Sequence, residues 1–128
     1  MFLFLAVVLN AVYFFSPLFS RALEDPASWI SSGIAAGIGI ASVLNIIIIF
    51  MYRQRTNQMV WLRRSLLFQI LGLGSSVGVL FSMGGFHINL IDEALSLVLL
   101  LLAFLLMIIA LIFIRKDEQL VRSMDRLR

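Results

Sequence analysis

The sequence predicts an all-α fold: a polytopic membrane protein, with a bundle of four transmembrane helices and a short cytoplasmic amphipathic C-terminal helix. Composition is the first observation, since 62% of the 128 residues are hydrophobic and 13% are charged. Soluble domains carry about 25% charged and about 45–50% apolar residues. A soluble chain of this size would leave large apolar surfaces in water, so the composition favours a membrane protein.

The second observation is a set of four apolar stretches without a charged residue, over residues 2–19, 28–52, 65–83 and 94–114. Each is close to the length of about 20 residues that a helix needs to cross the hydrocarbon core. We therefore predict a transmembrane domain over residues 1–114 and a cytoplasmic amphipathic tail over residues 115–128.

Local signals predict where the helices end. Pro17 lies near the end of the first stretch, where a missing backbone hydrogen bond costs least. Asp25 suits an N-cap, and Pro26 suits the first turn of the second helix. Gly84 and Gly85 suit the end of the third helix, because glycine accepts the left-handed conformation that closes a helix.

The basic residues predict the orientation. Nine of the ten fall on one side of a four-span chain: Arg53, Arg55, Arg63 and Arg64 in the middle loop, and Arg115, Lys116, Arg122, Arg126 and Arg128 in the tail. Basic residues concentrate in cytoplasmic loops, so we expect both termini and the middle loop in the cytoplasm. Since topology explains these charges, we expect no nucleic-acid partner.

The alternative interpretation of the N-terminal stretch is a signal peptide. A signal peptide needs a basic segment and a small-residue cleavage site. The first four residues carry no basic side chain, and residues 19–22 form a poor cleavage site. We predict an uncleaved first span.

Small residues recur every four positions in the second and third spans: Gly33, Gly37 and Ala41, then Gly74, Gly78 and Ser82. Such stripes let helix backbones approach closely in lipid. The favoured interpretation is packing within this bundle. A groove for a partner helix or a lipid is the alternative.

Three amide side chains lie within the predicted spans: Asn10, Asn45 and Gln69. Buried amides need hydrogen-bond partners, and we expect Asn45 and Gln69 to bond each other if the small-residue faces meet. Holding helices together is the favoured role of these amides. Lining a substrate path is the alternative.

The sequence offers little for catalysis. There is no cysteine, the predicted spans contain no ionisable carboxylate, histidine or basic group, and no nucleophile–base pair or phosphate-binding loop is present. A metal site of His87, Asp92 and Glu93 is disfavoured, because the two acids already suit the first turn of a helix. We predict neither an enzyme nor a cofactor.

The tail predicts a contact surface. Leu120, Val121, Met124 and Leu127 form an apolar stripe at helical spacing, and Glu118 and Arg122 are placed for an ion pair. The tail is expected to lie on the membrane or, preferably, to dock on a protein through Leu120, Met124, Arg122 and Arg126. The arginines of the middle loop suit either anionic lipid contact or topology alone.

Two segments carry a family resemblance: Ile114–Glu118 with Leu120–Ser123 and Asp125–Arg128, and Tyr52–Arg55 with Gln58. They resemble a Bacteroidetes-type domain-of-unknown-function family of small four-span inner-membrane proteins. The resemblance implies a bacterial inner membrane and four helices, and it implies no substrate or cofactor. The family's short Gln- and Arg-bearing segment before the first span has no counterpart after Met1.

Together these features predict a non-catalytic accessory or scaffold subunit that contacts the bilayer and a membrane-protein partner or further copies of itself. The alternative is a small lipid- or solute-binding carrier, with a site between the second and third spans near Asn45 and Gln69.

Overall fold

The computed structural model describes residues 1–24, 28–82 and 91–126, and nearly all of them are helical. The helices are α1 (Phe2–Phe14), α2 (Pro17–Glu24), α3 (Ser28–Phe50), α4 (Arg55–Ser82) and α5 (Ile91–Arg126). No strand occurs in these ranges, so the all-α prediction is confirmed. The helix ends predicted at Asp25–Pro26 and Gly84–Gly85 lie outside the described residues.

Helices α3, α4 and α5 are long and apolar enough to cross a membrane, while α1 is a shorter apolar helix. This arrangement fits a multi-pass helical membrane protein. The fourth predicted stretch continues into the predicted tail as one helix, because α5 runs for 36 residues.

The first predicted stretch, residues 2–19, is divided between two helices. Pro17 has no N–H group, and its ring would collide with the carbonyl of Tyr13 if α1 continued. The Ser16 N–H donates to that carbonyl instead, at 2.9 Å, and α2 begins at Pro17. Pro17, expected near the end of one continuous first helix, is therefore the first residue of a second helix, where its fixed φ is suitable.

Helices α1 and α2 together run alongside α5. The Phe2 ring stacks on Phe113 with centroids 5.4 Å apart, and Arg21 Nε lies 3.5 Å from Glu93 Oε1. The two partners on α5 are 20 residues apart, which corresponds to about 30 Å of helix axis. The α1–α2 segment is therefore antiparallel to α5 and covers about 30 Å of its length.

Buried side chains recur at alternating three- and four-residue spacing. In α1 these are Leu3, Ala6, Asn10 and Tyr13, and in α4 they include Ser65, Gln69, Gly72, Ser76 and Val79. A spacing of 3.5 residues keeps one stripe facing a neighbour when helices pack at a shallow angle. The bundle thus has the packing pattern of a coiled coil.

The apolar core has two parts. One cluster contains Tyr13, Leu18, Ile34, Ile38, Val79, Leu80, Leu97 and Leu100. The other contains Leu3, Ala6, Ile48, Leu62, Ala103, Met107 and Ala110. Amide and hydroxyl side chains of α1, α3 and α4 lie between the two clusters, in what is called here the polar layer.

Helices α3 and α4 meet backbone to backbone. A Cβ atom added to Gly37 would lie 2.8 Å from the Gly72 nitrogen and 3.0 Å from the Phe68 carbonyl oxygen. Backbone atoms cannot swing aside as a side chain can, so this contact requires glycine. Gly33 lies nearby, with 3.8 Å between its would-be Cβ and Ser75 Oγ, and Ala41 is fully buried.

The prediction that the small residues of α4 at positions 74, 78 and 82 form a packing face inside the bundle is wrong. Gly74, Gly78 and Ser82 are exposed, and a Cβ at either glycine would have no described atom within 4 Å. The glycine that contacts α3 is Gly72, which the four-residue stripe omitted. Positions 74, 78 and 82 lie on the outer surface because α4 faces α3 with the stripe that contains Gln69, Gly72 and Ser76.

Replacing Gly37 with alanine should destabilise the bundle by about 1–3 kcal/mol, since the added methyl group meets backbone. Gly78→Ala is the matched control, and it should change stability by less than about 1 kcal/mol, towards greater stability. Unfolding in mixed micelles, followed by the fluorescence of Trp29 and Trp61, measures both. Equal losses in the two variants would contradict the α3–α4 contact.

Candidate functional site

The centre of the polar layer is a reciprocal amide pair. Asn10 Nδ2 donates to Gln69 Oε1 and Gln69 Nε2 donates to Asn10 Oδ1, both at 3.0 Å. The second N–H of Asn10 Nδ2 donates to Ser42 Oγ at 3.1 Å. Both amide side chains are fully buried. Three helices, α1, α3 and α4, are joined at this point.

Asn45 takes part in a separate hydrogen bond. Ser65 Oγ lies 2.9 Å from Asn45 Oδ1 and 3.0 Å from the carbonyl oxygen of Ala41. Asn45 Nδ2 is buried and has no hydrogen-bond partner within the described ranges. This link adds a second connection between α3 and α4.

The expected hydrogen bond between Asn45 and Gln69 is therefore wrong. The contact of Gly37 with Gly72 sets the antiparallel register of α3 and α4. In this register Asn45 lies opposite Ser65, and Gln69 lies about 6 Å farther along the axis of α4. Gln69 is consequently left for Asn10 of α1.

A third link of the polar layer joins α1 to α4 again. The hydroxyl groups of Tyr13 and Ser76 share a hydrogen bond of 2.8 Å, and Ser76 Oγ also donates to the Gly72 carbonyl at 2.9 Å. Tyr13, Ser42, Ser65 and Ser76 were not predicted. The 4-3-4 spacing of Ser65, Gln69, Gly72 and Ser76 is the sequence signal that identifies the α4 part of this face.

The chemistry of the polar layer suits helix association. Its amide and hydroxyl groups bond mainly to one another, and interhelical hydrogen bonds in membranes contribute about 0.6 kcal/mol each on average. Of the two predicted roles for Asn10 and Gln69, the geometry favours holding helices together.

At the end of the bundle where α2 meets α5, Arg21 pairs with Glu93, whose side chain is 6% exposed. Asp92 is exposed in the same first turn of α5. His87 of the disfavoured metal site lies outside the described residues, and residues 1–24, 28–82 and 91–126 contain no group of three metal-ligating side chains of the His, Cys, Asp and Glu types.

At the opposite end of the bundle, α5 extends beyond the first turn of α4. Thr56 Oγ1 donates to Glu118 Oε1 at 3.0 Å, which fixes α5 beside the first turn of α4. The predicted pair of Glu118 and Arg122 is present, at 2.7 Å. Every residue from Gln119 to Arg126 is exposed, including Leu120 (60%) and Met124 (66%). Leu127 lies outside the described residues.

The predicted basic residues surround this end. Arg53, Arg55, Arg63, Arg64, Arg122 and Arg126 are all exposed. Arg53 lies over the Tyr52 ring, 5.7 Å from its centroid, and Arg64 over the Trp61 ring, at 4.9 Å. Aromatic and basic side chains are typical of the membrane–water interface. Gln58, part of the resemblance pattern, donates to the Ile48 carbonyl of α3 at 2.9 Å.

The amide pair is tested by a double-mutant cycle. Asn10→Leu and Gln69→Met should each lower the free energy of unfolding by about 1–3 kcal/mol, because each removes both hydrogen bonds of the pair and leaves a donor and an acceptor of the other amide unbonded. The double variant should lose less than the sum, with a coupling of about 0.6–1.7 kcal/mol. Asn10→Leu combined with Ser65→Ala is the control and should be additive within about 0.5 kcal/mol. Additivity in the Asn10–Gln69 cycle would contradict the pair.

Comparison with known proteins supports the resemblance of the tail and middle loop to a family of unknown function. No curated protein and no solved structure matches the chain. The model of one family covers residues 1–127. The chain therefore belongs to the family described as Domain of unknown function (DUF4293).

Proposed function

We propose that the protein is a non-catalytic accessory or scaffold subunit of a larger complex in a bacterial inner membrane. Its membrane bundle would anchor it, and its cytoplasmic end would hold the partner. The observation that carries this proposal is the projection of α5 beyond the bundle, with exposed apolar side chains and neighbouring arginines.

The length of α5 supports a projecting surface. Its 36 residues correspond to about 54 Å, against a hydrocarbon core of about 30 Å. Glu118 is held by a hydrogen bond from Thr56 of α4, and residues 119–126 that follow it are exposed. The following two turns present Leu120, Val121 and Met124 without covering side chains. An amphipathic helix face of this kind suits a groove on a partner protein.

Four membrane crossings, with both termini in the cytoplasm, are part of the proposal. Helix α1 alone is short, but α1 and α2 together cover about 30 Å of α5, which matches the hydrocarbon thickness. Arg21 would lie at the outer interface, and the arginines near Trp61 would lie at the inner one. The excess of basic residues on that inner side supports the orientation.

The topology is tested with single cysteines, since the natural chain has none. In intact cells, a membrane-impermeant maleimide should label Leu23→Cys and leave Asn57→Cys and a cysteine inserted after Met1 unlabelled. Inverted vesicles should give the opposite pattern. Labelling of the inserted cysteine together with Leu23→Cys would contradict the fourth crossing, because α1 would then begin on the outer side.

The docking surface is tested by Leu120→Asp with Met124→Asp. The natural chain, tagged and extracted in mild detergent, should retain a partner at fixed stoichiometry, and this variant should lose it because two carboxylates cannot be buried in an apolar groove. Gln119→Asp with Ser123→Asp is the matched control, since it adds the same charges at the same spacing on an adjacent face. Mass spectrometry of the extracts measures retention.

Equal retention by the two variants would overturn docking through Leu120 and Met124. Recovery of the natural chain as a homo-oligomer would assign the surface to a second copy if the Leu120→Asp, Met124→Asp variant is monomeric. That homo-oligomer would also overturn the proposal of an accessory subunit.

The alternative of a carrier site between α3 and α4 has less support. The backbones are in contact at Gly37 and Gly72, which leaves no space for a solute at that level. Gln69, expected to line such a site, is bonded to Asn10. Of the two amides named for the carrier, Gln69 and the Oδ1 atom of Asn45 are thus used within the bundle.

A further inference from the structure

A groove opens where the break between α1 and α2 faces the first turns of α5. Its volume is about 430 Å³. Its walls are apolar, with Val12 and Pro17 on one side and Leu95, Val98 and Leu99 on the other. The polar side chains of the groove are Ser16, Asp92 and Ser96.

Ser16 gives this groove an unused hydrogen-bonding group. The residue is 6% exposed, and its Oγ has no partner within the described residues. A buried hydroxyl without a partner costs free energy, and most such groups in proteins are bonded. The other buried hydroxyl of the groove, that of Ser96, has a partner, since Ser96 Oγ donates to the Asp92 carbonyl at 2.9 Å. Ser16 therefore contributes a buried, unbonded hydroxyl to the wall of the groove.

The mouth of the groove carries one acidic side chain, and a basic side chain lies one helical turn beyond the groove's lining residue Pro17. Asp92 is exposed on the first turn of α5, and the described residues give it no ion pair. Arg21 follows Pro17 by one helical turn and thus lies on the same face of α2. Its side chain is 56% exposed, although Nε contacts Glu93. Asp92 and Arg21 together are complementary to a zwitterion.

Below the mouth the groove has the depth of an acyl-chain segment. From Asp92 to Leu99, α5 advances by about 10 Å towards the middle of the bundle. The side chains along this path are apolar, apart from Ser96, whose hydroxyl is bonded to its own helix. Val12 (46% exposed) and Val98 (45% exposed) leave the groove open to the lipid side.

We infer that this groove binds phosphatidylethanolamine, a zwitterionic phospholipid with a primary ammonium group. The ammonium group bonds to the Asp92 carboxylate, and the phosphate contacts the guanidinium of Arg21. Ser16 Oγ donates to an ester carbonyl, and one acyl chain lies between Val12 and Val98. A quaternary ammonium lacks the N–H donors for Asp92, and an anionic headgroup is repelled by Asp92 and Glu93.

Native mass spectrometry of the full chain tests the lipid, with phosphatidylethanolamine, phosphatidylcholine and phosphatidylglycerol added at equal concentration. Phosphatidylethanolamine should be retained about tenfold better than phosphatidylcholine, the ratio that a charge-assisted hydrogen bond provides. Asp92→Asn should remove this preference. Asp125→Asn, a carboxylate at the other end of the same helix, is the matched control and should keep it.

A second pair of variants tests the groove itself and does not depend on Asp92. Val12→Trp should fill the groove and lower the retention of phosphatidylethanolamine about tenfold, whereas Leu71→Trp on the outer face of α4 should have no effect. Equal retention of the three lipids by the natural chain would overturn the assignment. So would an unchanged preference in Asp92→Asn or unchanged retention in Val12→Trp. These measurements are independent of the partner that the tail would hold.

Discussion

The backbone contact between Gly37 and Gly72 is the constraint on which the rest of the bundle depends. Association of helices in lipid gains little from the hydrophobic effect, since the lipid is as apolar as the side chains. Close packing and hydrogen bonds must supply the specificity. The contact of the two glycines fixes the register of α3 and α4, and that register places Asn45 opposite Ser65. Gln69 then remains available for a third helix.

That third helix is α1, whose position depends on one amide. Its buried face offers only Leu3, Ala6 and Tyr13 besides Asn10, and apolar faces alone can slide in hydrocarbon. The reciprocal bonds of Asn10 with Gln69, together with the Tyr13–Ser76 hydrogen bond, fix its depth. The stack of Phe2 on Phe113 and the ion pair of Arg21 with Glu93 then secure its two ends. A helix of 13 residues is held in register by these few contacts.

The sequence predicted what depends on composition and on single helices, and it failed where faces had to be chosen. The all-α class and the Glu118–Arg122 pair need only local information, and both were predicted. A stripe such as Gly74, Gly78 and Ser82 turns by about 40° at each step of four residues, so along a helix that packs at a shallow angle it moves away from its neighbour. The stripe through Gln69 and Gly72 alternates spacings of four and three residues, so it keeps facing the same neighbour. The hydrogen-bond partner of Gln69 could not be predicted from the sequence, because it depends on the register in which α3 packs against α4.

The hydrogen bonds of the polar layer bear directly on function. They join Asn10 to Gln69, Ser65 to Asn45, and Tyr13 to Ser76. Groups that bond one another inside the bundle are not available to a substrate. The exposed polar and charged side chains considered for other molecules lie at the two ends. One end presents Leu120 and Met124 among arginines, and the other presents Asp92 beside an open groove. Helix α5 carries both surfaces on one continuous rod, about 42 Å apart along its axis between Asp92 and Leu120. The polar layer between them holds the bundle in register, and both contacts proposed above lie at the ends of α5 rather than at its middle.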